Sequence, residues 1–502
     1  MSFPVTPRSL GELVSATEGA ELARGEPRLL IGGVTQDTRR LQRGDLFVAI
    51  PGFERDGSQF IREAIALGAA AIAAEESPPE QVPFVRVRNA RRALADLAAA
   101  LYGHPSRQLP VVGITGTDGK TSTTHLLSSI LEAHGLRTGW LTTVNTKIGD
   151  DLRPNAADHT TPEAPLVQRA LAEMLAAQLD VALVETSSHA LDLERVRATQ
   201  FRVGIFTNLS PEHLNFHGSF EAYRAAKQKL FQRLPPDGLA VLNSDDPSSA
   251  AMRAVTSARR LTYGLDHPAD FRATDVRLSP TGTAFRLLPS RLEVQSHLVG
   301  RFNVSNWLAA YAAATYFGAT PRDLVEAAAA QAPVLGRMNL VEQGQPFAVV
   351  IDFAHTPQAL EKALDTVRSL VSGQILLVFG LAGGRDYGNR AVMGALAARK
   401  ADFFVISMDD PGHEDAAAIA DQIAAGARST GAREGERFSV ELDRRAAIRA
   451  LFERAHPGDA VLLAGKGHEQ RMVVGDERRG WNDARVAADV LTELGFQPQA
   501  VP

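Results

Sequence analysis

The stretch Val111–Thr121, VVGITGTDGKT, holds the residues whose types and spacing speak most directly to chemistry. An apolar, β-branched run (Val111, Val112, Ile114) predicts a strand, and Gly116-Thr117-Asp118-Gly119-Lys120-Thr121 predicts a glycine-rich turn that opens a helix. Backbone N–H groups and the helix dipole at such a turn face an anion. Lys120 adds a point charge, and the Thr121 hydroxyl can ligate a magnesium ion. Two residues rather than four separate Gly116 from Gly119, a departure from the standard Walker A spacing. A chance glycine turn is the plain alternative. Strand, GKT and helix fall in register, however, and a nucleoside triphosphate site is the stronger reading.

Other reactive groups sit near the ends of expected elements. Glu185 lies in VALVET (Val181–Thr186) and suits an oxygen ligand for magnesium beside Thr121. His213, in the PEH triplet of NLSPEHLNFHG (Asn208–Gly218), is either a further ligand through a ring nitrogen or a packed residue. Lys227 shares helical spacing with Tyr223, Leu230 and Phe231. It is either a snorkelling surface lysine or a buried one whose shifted pKa permits chemistry. Asn303 and Asn306, in GRFNVSNWLAA, either cap a helix or offer amides to a purine edge.

The elements that must position these groups alternate strand and helix. After the glycine turn, Leu126, Leu127, Ile130 and Leu131 mark one helical face and Gly135 a stop. VALVET, VGIFTN (Val203–Asn208) and LAVLN (Leu239–Asn243) predict a mostly parallel sheet over residues 106–336, with ligands at its carboxyl edge. Residues 1–105 read as a smaller α/β unit with strands Leu46–Ile50 and Ala69–Ala74 and a helix Phe60–Leu67. The turn PGFERDG (Pro51–Gly57) between them is a plain surface loop or a ligand contact. HPSRQLP (His104–Pro110) reads as a linker. Residues 337–502 repeat the βαβ pattern, with strands Val349–Phe353, Ile375–Phe379, Phe403–Ser407 and Ala460–Ala464. Each is followed by a polar loop: AHTP, GLAGGRDYGNR, MDDPGHED and GKGHE. Four such loops on one sheet suggest a second ligand site.

Composition narrows the class. The chain has 502 residues, 45% hydrophobic and 22% charged, with a net charge of −5, so no basic footprint argues for nucleic acid or an anionic membrane. Cysteine is absent, which excludes disulfides and thiolate chemistry and fits a reducing cytoplasm. MSFPVTPRSLGELV carries no basic start leading into an apolar run, and no uncharged run is long enough to span a bilayer. A cytoplasmic enzyme, monomeric and without membrane contact, is the expectation.

Taken in order, GITGTDGKT, HTTP (His159–Pro162), ETSSHALDLERV, TNLSPEHLNFHG, AAK (Ala225–Lys227), GRFNVSNWLAA, GRM (Gly336–Met338), DFAHTP (Asp352–Pro357), GGRD and GKGHE resemble the Mur ligases over nearly the whole chain. The resemblance is to the branch that adds a diamino acid to UDP-MurNAc-L-Ala-D-Glu. It implies an N-terminal UDP-binding α/β domain, a central P-loop-type ATPase domain and a C-terminal Rossmann-like α/β domain that binds the amino acid. It further implies that ATP phosphorylates the D-Glu side-chain carboxylate and that an amine displaces phosphate from the acyl phosphate. By match, ATP meets Gly116, Thr117, Asp118, Gly119, Lys120, Thr121 and Ser122, with Asn303 and Asn306 on the adenine side and Arg337 and Asp352 reaching in from the third domain. Thr121, Glu185 and His213 surround magnesium, and Lys227 matches a lysine carbamylated in this family to become a further ligand. Thr38, Thr160, Thr161, Ser188 and Arg195 match positions that hold the UDP-MurNAc dipeptide. Arg390, Asp409, Asp410, Gly465 and Glu469 match the amino-acid site.

Three departures bear on the substrate. The family loop D-N-P-R is Asp409-Asp410-Pro411-Gly412 here, and glycine cannot provide the bidentate grip on the distal carboxylate of diaminopimelate. That favours lysine or ornithine. Diaminopimelate remains the rival, with His413 or Arg385 replacing the arginine. Gly384, Tyr387 and Asn389 replace an acid and two basic residues of GGDRDKGKR, and Leu193 replaces a glutamine. Folylpolyglutamate or cyanophycin synthesis is disfavoured by the N-terminal unit and GKGHE. A degenerate binding homologue is disfavoured by the intact phosphate loop, Glu185, His213 and Lys227.

Overall fold

The computed structural model describes residues 5–52, 56–155, 159–279 and 282–497. Phe53, Glu54 and Arg55 of the PGFERDG turn therefore lie outside the described residues. Among these residues, three large sheets carry the chain. The first has five strands, with Phe84–Val87, Ala71–Ala74, Leu46–Val48 and Val34–Thr35 running parallel and Ala20–Arg24 antiparallel at one edge. The expected helix here is Ile61–Ala66, entered through a 3-10 turn, Gly57–Phe60, that Asp56 caps.

The central sheet has eleven strands. Its parallel block runs in spatial order Thr138–Leu141, Val181–Glu185, Val111–Thr115, Phe201–Phe206, Leu239–Asn243 and Arg259–Gly264. The phosphate-loop strand thus lies inside the sheet, flanked by the strands that carry Glu185 and the PEH loop. Such strands are covered on both faces, which is why they read as unbroken apolar runs. Both flanks differ from the sequence expectation. Asn145–Ile148 and Asp151–Pro154 add a hairpin at one edge, and Phe271–Ser279, Gly282–Leu288 and Leu292–Ser296 add an antiparallel meander at the other. The helix Lys120–Ala133 buries Leu126, Leu127, Ile130 and Leu131 completely against this sheet and the helix Arg301–Ala314. Each such side chain contributes about 1.5–3 kcal/mol of burial free energy.

The third sheet has six strands: Asn339–Leu340 antiparallel at one edge, then Ala348–Asp352, Ala460–Ala464, Ile375–Phe379, Phe403–Ile406 and Phe438–Val440 in parallel. The expected loop GLAGGRDYGNR closes early, because the helix Tyr387–Lys400 already includes its last four residues. Among the described residues no helix is long and apolar enough to cross a membrane.

Candidate active site

The phosphate loop is held open by its neighbours. Gly119 adopts φ +82, and a Cβ there would meet Asn306 Oδ1 at 2.6 Å, so both conformation and contact require glycine. The expected strand 203–208 ends at Phe206 because Asn208 is diverted to this loop. Its carbonyl accepts from the Thr117 N–H at 2.9 Å, its Oδ1 accepts from the Asp118 N–H at 3.0 Å, and its Nδ2 donates to the Asp118 carbonyl at 3.2 Å. Lys120 Nζ donates to the carbonyls of Gly116 (3.0 Å) and Thr117 (2.6 Å), and Thr121 is buried beside it.

Lys227 is no snorkelling residue. It is 1% exposed on the inner face of the helix Phe220–Gln232, donates to the Gly116 carbonyl at 2.8 Å and lies 4.5 Å over the Tyr223 ring. Burial, reinforced by the Lys120 charge, pushes its ammonium pKa well below the ordinary lysine value. Nor do Asn303 and Asn306 cap their helix, whose N-cap is Gly300. Both are buried under the phosphate loop. Asn306 Nδ2 donates to Asn303 Oδ1 at 3.1 Å, and Thr123 Oγ1 donates to Asn306 Oδ1 at 3.4 Å. From the C-terminal sheet, Arg337 Nη2 donates to Thr121 Oγ1 at 3.3 Å. Asp352 accepts from the Met338 and Ala354 N–H groups, each at 2.8 Å, which leaves it behind Arg337.

Glu185 is fully buried at its strand end. Thr143 donates to its carboxylate through N–H (3.2 Å) and Oγ1 (2.9 Å), and no cation among the described residues pairs with it. A buried, unpaired carboxylate next to the phosphate loop suits a divalent cation, and Thr121 adds a hydroxyl oxygen from the first turn of the helix Lys120–Ala133. His213 stands on the facing loop, with Nε2 3.5 Å from Glu212 Oε1 and its ring 4.6 Å from that of His189. Sequence reasoning passed over Glu212, although the PEH triplet placed it beside His213. Its carboxylate is buried, yet the charges of His213 and His355 hold its pKa below the usual carboxylate range against that burial.

Four of the five residues expected at the dipeptide, Thr160, Thr161, Ser188 and Arg195, form a second group near Glu185, and Thr38 is not among them. Thr161 Oγ1 donates to the Glu185 carbonyl (2.7 Å), and Arg195 Nη1 donates to the Thr161 carbonyl (3.2 Å) while Nη2 pairs with Glu163 at 2.7 Å. Among the described residues the buried Arg195 Nε has no hydrogen-bond partner. Ser188 Oγ lies 3.0 Å from His217 Nε2, and Thr160 is half-buried beside Thr161. Thr38 opens the 3-10 turn that follows Val34–Thr35 in the N-terminal sheet.

The third group centres on Lys466, another residue the sequence reading left unassigned within GKGHE. It is fully buried, and its Nζ lies 2.7 Å from Asp410 Oδ1, 2.5 Å from Glu469 Oε2 and 3.6 Å from Asp409 Oδ1. Burial opposes its charge, but Asp409, Glu469 and Asp410 outweigh it and raise the ammonium pKa. Burial, with Asp409 and Asp410 nearby, holds the Glu469 carboxyl up to about 7 despite Lys466. Gly465 is also required, since a Cβ there would sit 2.6 Å from Asp409 Oδ2. A cavity lined by Phe353, His355, Arg385, Asp386, Asp409 and Glu469 adjoins this cluster, and two of its lining residues, His355 and Asp386, contact the PEH loop. Arg390 is not among its lining residues. Its buried guanidinium forks onto Glu414 at 2.5 and 2.8 Å and donates to Gln422 at 3.1 Å. His413 is exposed, 3.4 Å from Asp476. Behind the cluster, a fully buried Arg444–Asp483 pair (2.7 Å) ties the carbonyl of Ala464 to the following helix, a support with no local sequence signal.

The chain is similar to known proteins over nearly its whole length. Residues 30–102 match the family profile of the Mur ligase catalytic domain, residues 114–314 the Mur ligase middle domain, and residues 336–467 the Mur ligase glutamate ligase domain. A UDP-N-acetylmuramyl-tripeptide synthetase of Roseiflexus is 44% identical over 93% of this chain and 95% of its own. A UDP-N-acetylmuramoyl-L-alanyl-D-glutamate–2,6-diaminopimelate ligase of Bacillus velezensis is 40% identical over 92% of this chain and 95% of its own. A solved structure of a ligase with that same diaminopimelate description superposes with a TM-score of 0.67 at 29% identity, covering 98% of this chain and all of the other.

Proposed function

The chain belongs to the Mur ligase family, ATP-dependent ligases that extend UDP-MurNAc peptides, and we propose that its added residue is a diamino acid with a bare distal ammonium, lysine or ornithine. One observation carries this reading: three acids, Asp409, Asp410 and Glu469, share a single buried cation, Lys466, and Gly412 brings no guanidinium to them. The surplus negative charge favours an ammonium and opposes a distal carboxylate.

In the proposed reaction the γ-phosphoryl group passes from ATP to a side-chain oxygen of D-Glu, breaking its bond to ADP. The substrate amine then attacks the acyl carbon, phosphate leaves, and one proton is released. The chain's task is charge neutralisation and alignment. Lys120 and the N–H groups of the phosphate loop receive the triphosphate, and Arg337 closes over Thr121. Thr121, Glu185 and His213 would hold magnesium, joined by Lys227 once its neutral amine adds carbon dioxide to form a carbamate and release a proton. When bound, the ion supplies neutralisation of phosphate charge. The lowered Lys227 pKa supports the carbamate, because only the neutral amine is nucleophilic. Arg195, with its unpaired Nε, and Thr161 face the carboxylate-bearing dipeptide.

Diaminopimelate is the second reading, favoured by Arg385 at the cavity wall. ADP release with UDP-MurNAc-L-Ala-D-Glu, ATP and magnesium, measured separately with lysine, ornithine and meso-diaminopimelate, separates the two. A preference of ~100-fold for lysine or ornithine, about 2.7 kcal/mol, supports the proposal, and a diaminopimelate preference overturns it. These reactants support a cytoplasmic location for the enzyme.

A further inference from the structure

The loop bearing His213 is gripped from the C-terminal sheet at two consecutive residues. The His213 N–H donates to Asp386 Oδ1 at 2.9 Å, and Glu212 Oε1 lies 3.1 Å from His355 Nε2. His355 is itself oriented by the Phe353 carbonyl, 2.9 Å from its Nδ1. His213 and Asp386 meet with φ of +55 and +50, a left-handed conformation that non-glycine residues keep only where their surroundings over-determine it. On the inner side, Glu212 faces the Tyr223 hydroxyl at 3.5 Å. That hydroxyl lies 3.0 Å from Thr117 Oγ1, which accepts from the Ser210 N–H at 3.0 Å. A polar chain therefore runs from the C-terminal sheet through Glu212 to the phosphate loop. His355 and Asp386 also line the cavity that holds Asp409 and Glu469.

We propose that Asp386 and the Glu212–His355 pair are positioning residues that set His213 and the phosphate loop for phosphoryl transfer when the amino-acid cavity is assembled over them. This rests on the reading that the cavity takes the amino acid. One set of side chains then serves both ligands: His355 and Asp386 line the cavity and also hold the loop that carries His213.

The test is steady-state kinetics of the full chain with UDP-MurNAc-L-Ala-D-Glu, ATP, magnesium and whichever diamino acid the wild type uses. Asp386→Ala is expected to lower kcat about 10-fold or more, with KM for the UDP substrate within about twofold. Asp386→Asn keeps the acceptor for the His213 N–H and is expected to restore kcat. Glu212→Ala and His355→Ala should each lower kcat, and the double variant should fall no further than the worse single within about twofold, because the pair acts as a unit. Multiplying losses in the double variant, an Asp386→Asn as impaired as Asp386→Ala, or unchanged kcat in all three alanine variants overturns the inference. A Glu212→Ala protein that fails to fold leaves the Asp386 pair of variants to decide. Absence of turnover by the wild type with every diamino acid would instead defeat the underlying functional reading.

Discussion

Replacing Gly412 by arginine should move the enzyme toward diaminopimelate. Gly412 sits at φ +57, its N–H donates to the Val473 carbonyl at 3.1 Å, and among the described residues no atom beyond its chain neighbours lies within 4 Å of a Cβ built there. A side chain therefore has room, at a left-handed backbone cost of about 1–2 kcal/mol. That cost falls on folding and is common to free and substrate-bound enzyme, so it lowers the melting temperature without altering selectivity. A guanidinium reaching the distal carboxylate gains about 1.5–3 kcal/mol for a charged hydrogen bond, or about 10- to 100-fold in relative kcat/KM. Asp410 offsets part of this gain, since its carboxylate repels the distal carboxylate even with Oδ1 engaged by Lys466 at 2.7 Å and the Val473 N–H at 2.9 Å. The assay is ADP release with lysine, ornithine and meso-diaminopimelate for wild type and Gly412→Arg. The expected result is a ratio shifted at least ~10-fold toward diaminopimelate. A folded variant with an unchanged ratio would refute the assignment of position 412 to distal-group recognition.

Three further outcomes are expected. Gly119→Ala should raise KM for ATP about tenfold or more and leave KM for the UDP substrate alone, because its Cβ would collide with Asn306 Oδ1 at 2.6 Å. With the Glu469 carboxyl held up to about 7, its anion forms as pH rises, so KM for the amino acid should fall between about pH 6 and about pH 8. Glu469→Gln should flatten that dependence, and a profile identical to wild type would remove Glu469 from amino-acid binding. Asp483→Asn strands the fully buried Arg444 and should cost about 3–5 kcal/mol of stability by denaturant unfolding, while a loss under ~1 kcal/mol would show the pair to be dispensable.

The strands Leu239–Asn243, Ile375–Phe379 and Ala460–Ala464 were legible to the residue, since sheet cores covered on both faces demand continuous apolar runs. The antiparallel meander from Phe271 to Ser296 was not. Its strands alternate buried and exposed positions among polar residues and pair only through long-range register. The site divides the same way. By itself the sequence determined the phosphate loop, because strand, glycine turn and helix N-terminus are contiguous and their chemistry is local. It also determined the family, through ten motifs in fixed order. Tertiary structure alone decided what depends on residues far apart in the chain. It buried Lys227 under Gly116, turned Asn208 out of its strand to brace Thr117 and Asp118, and committed Arg390 to Glu414. It also gave Lys466 three acids, and it set His355 and Asp386 on Glu212 and His213. Desolvation and pairing fix the charge on each of these groups, and both are properties of the packed neighbourhood that residue order does not encode locally.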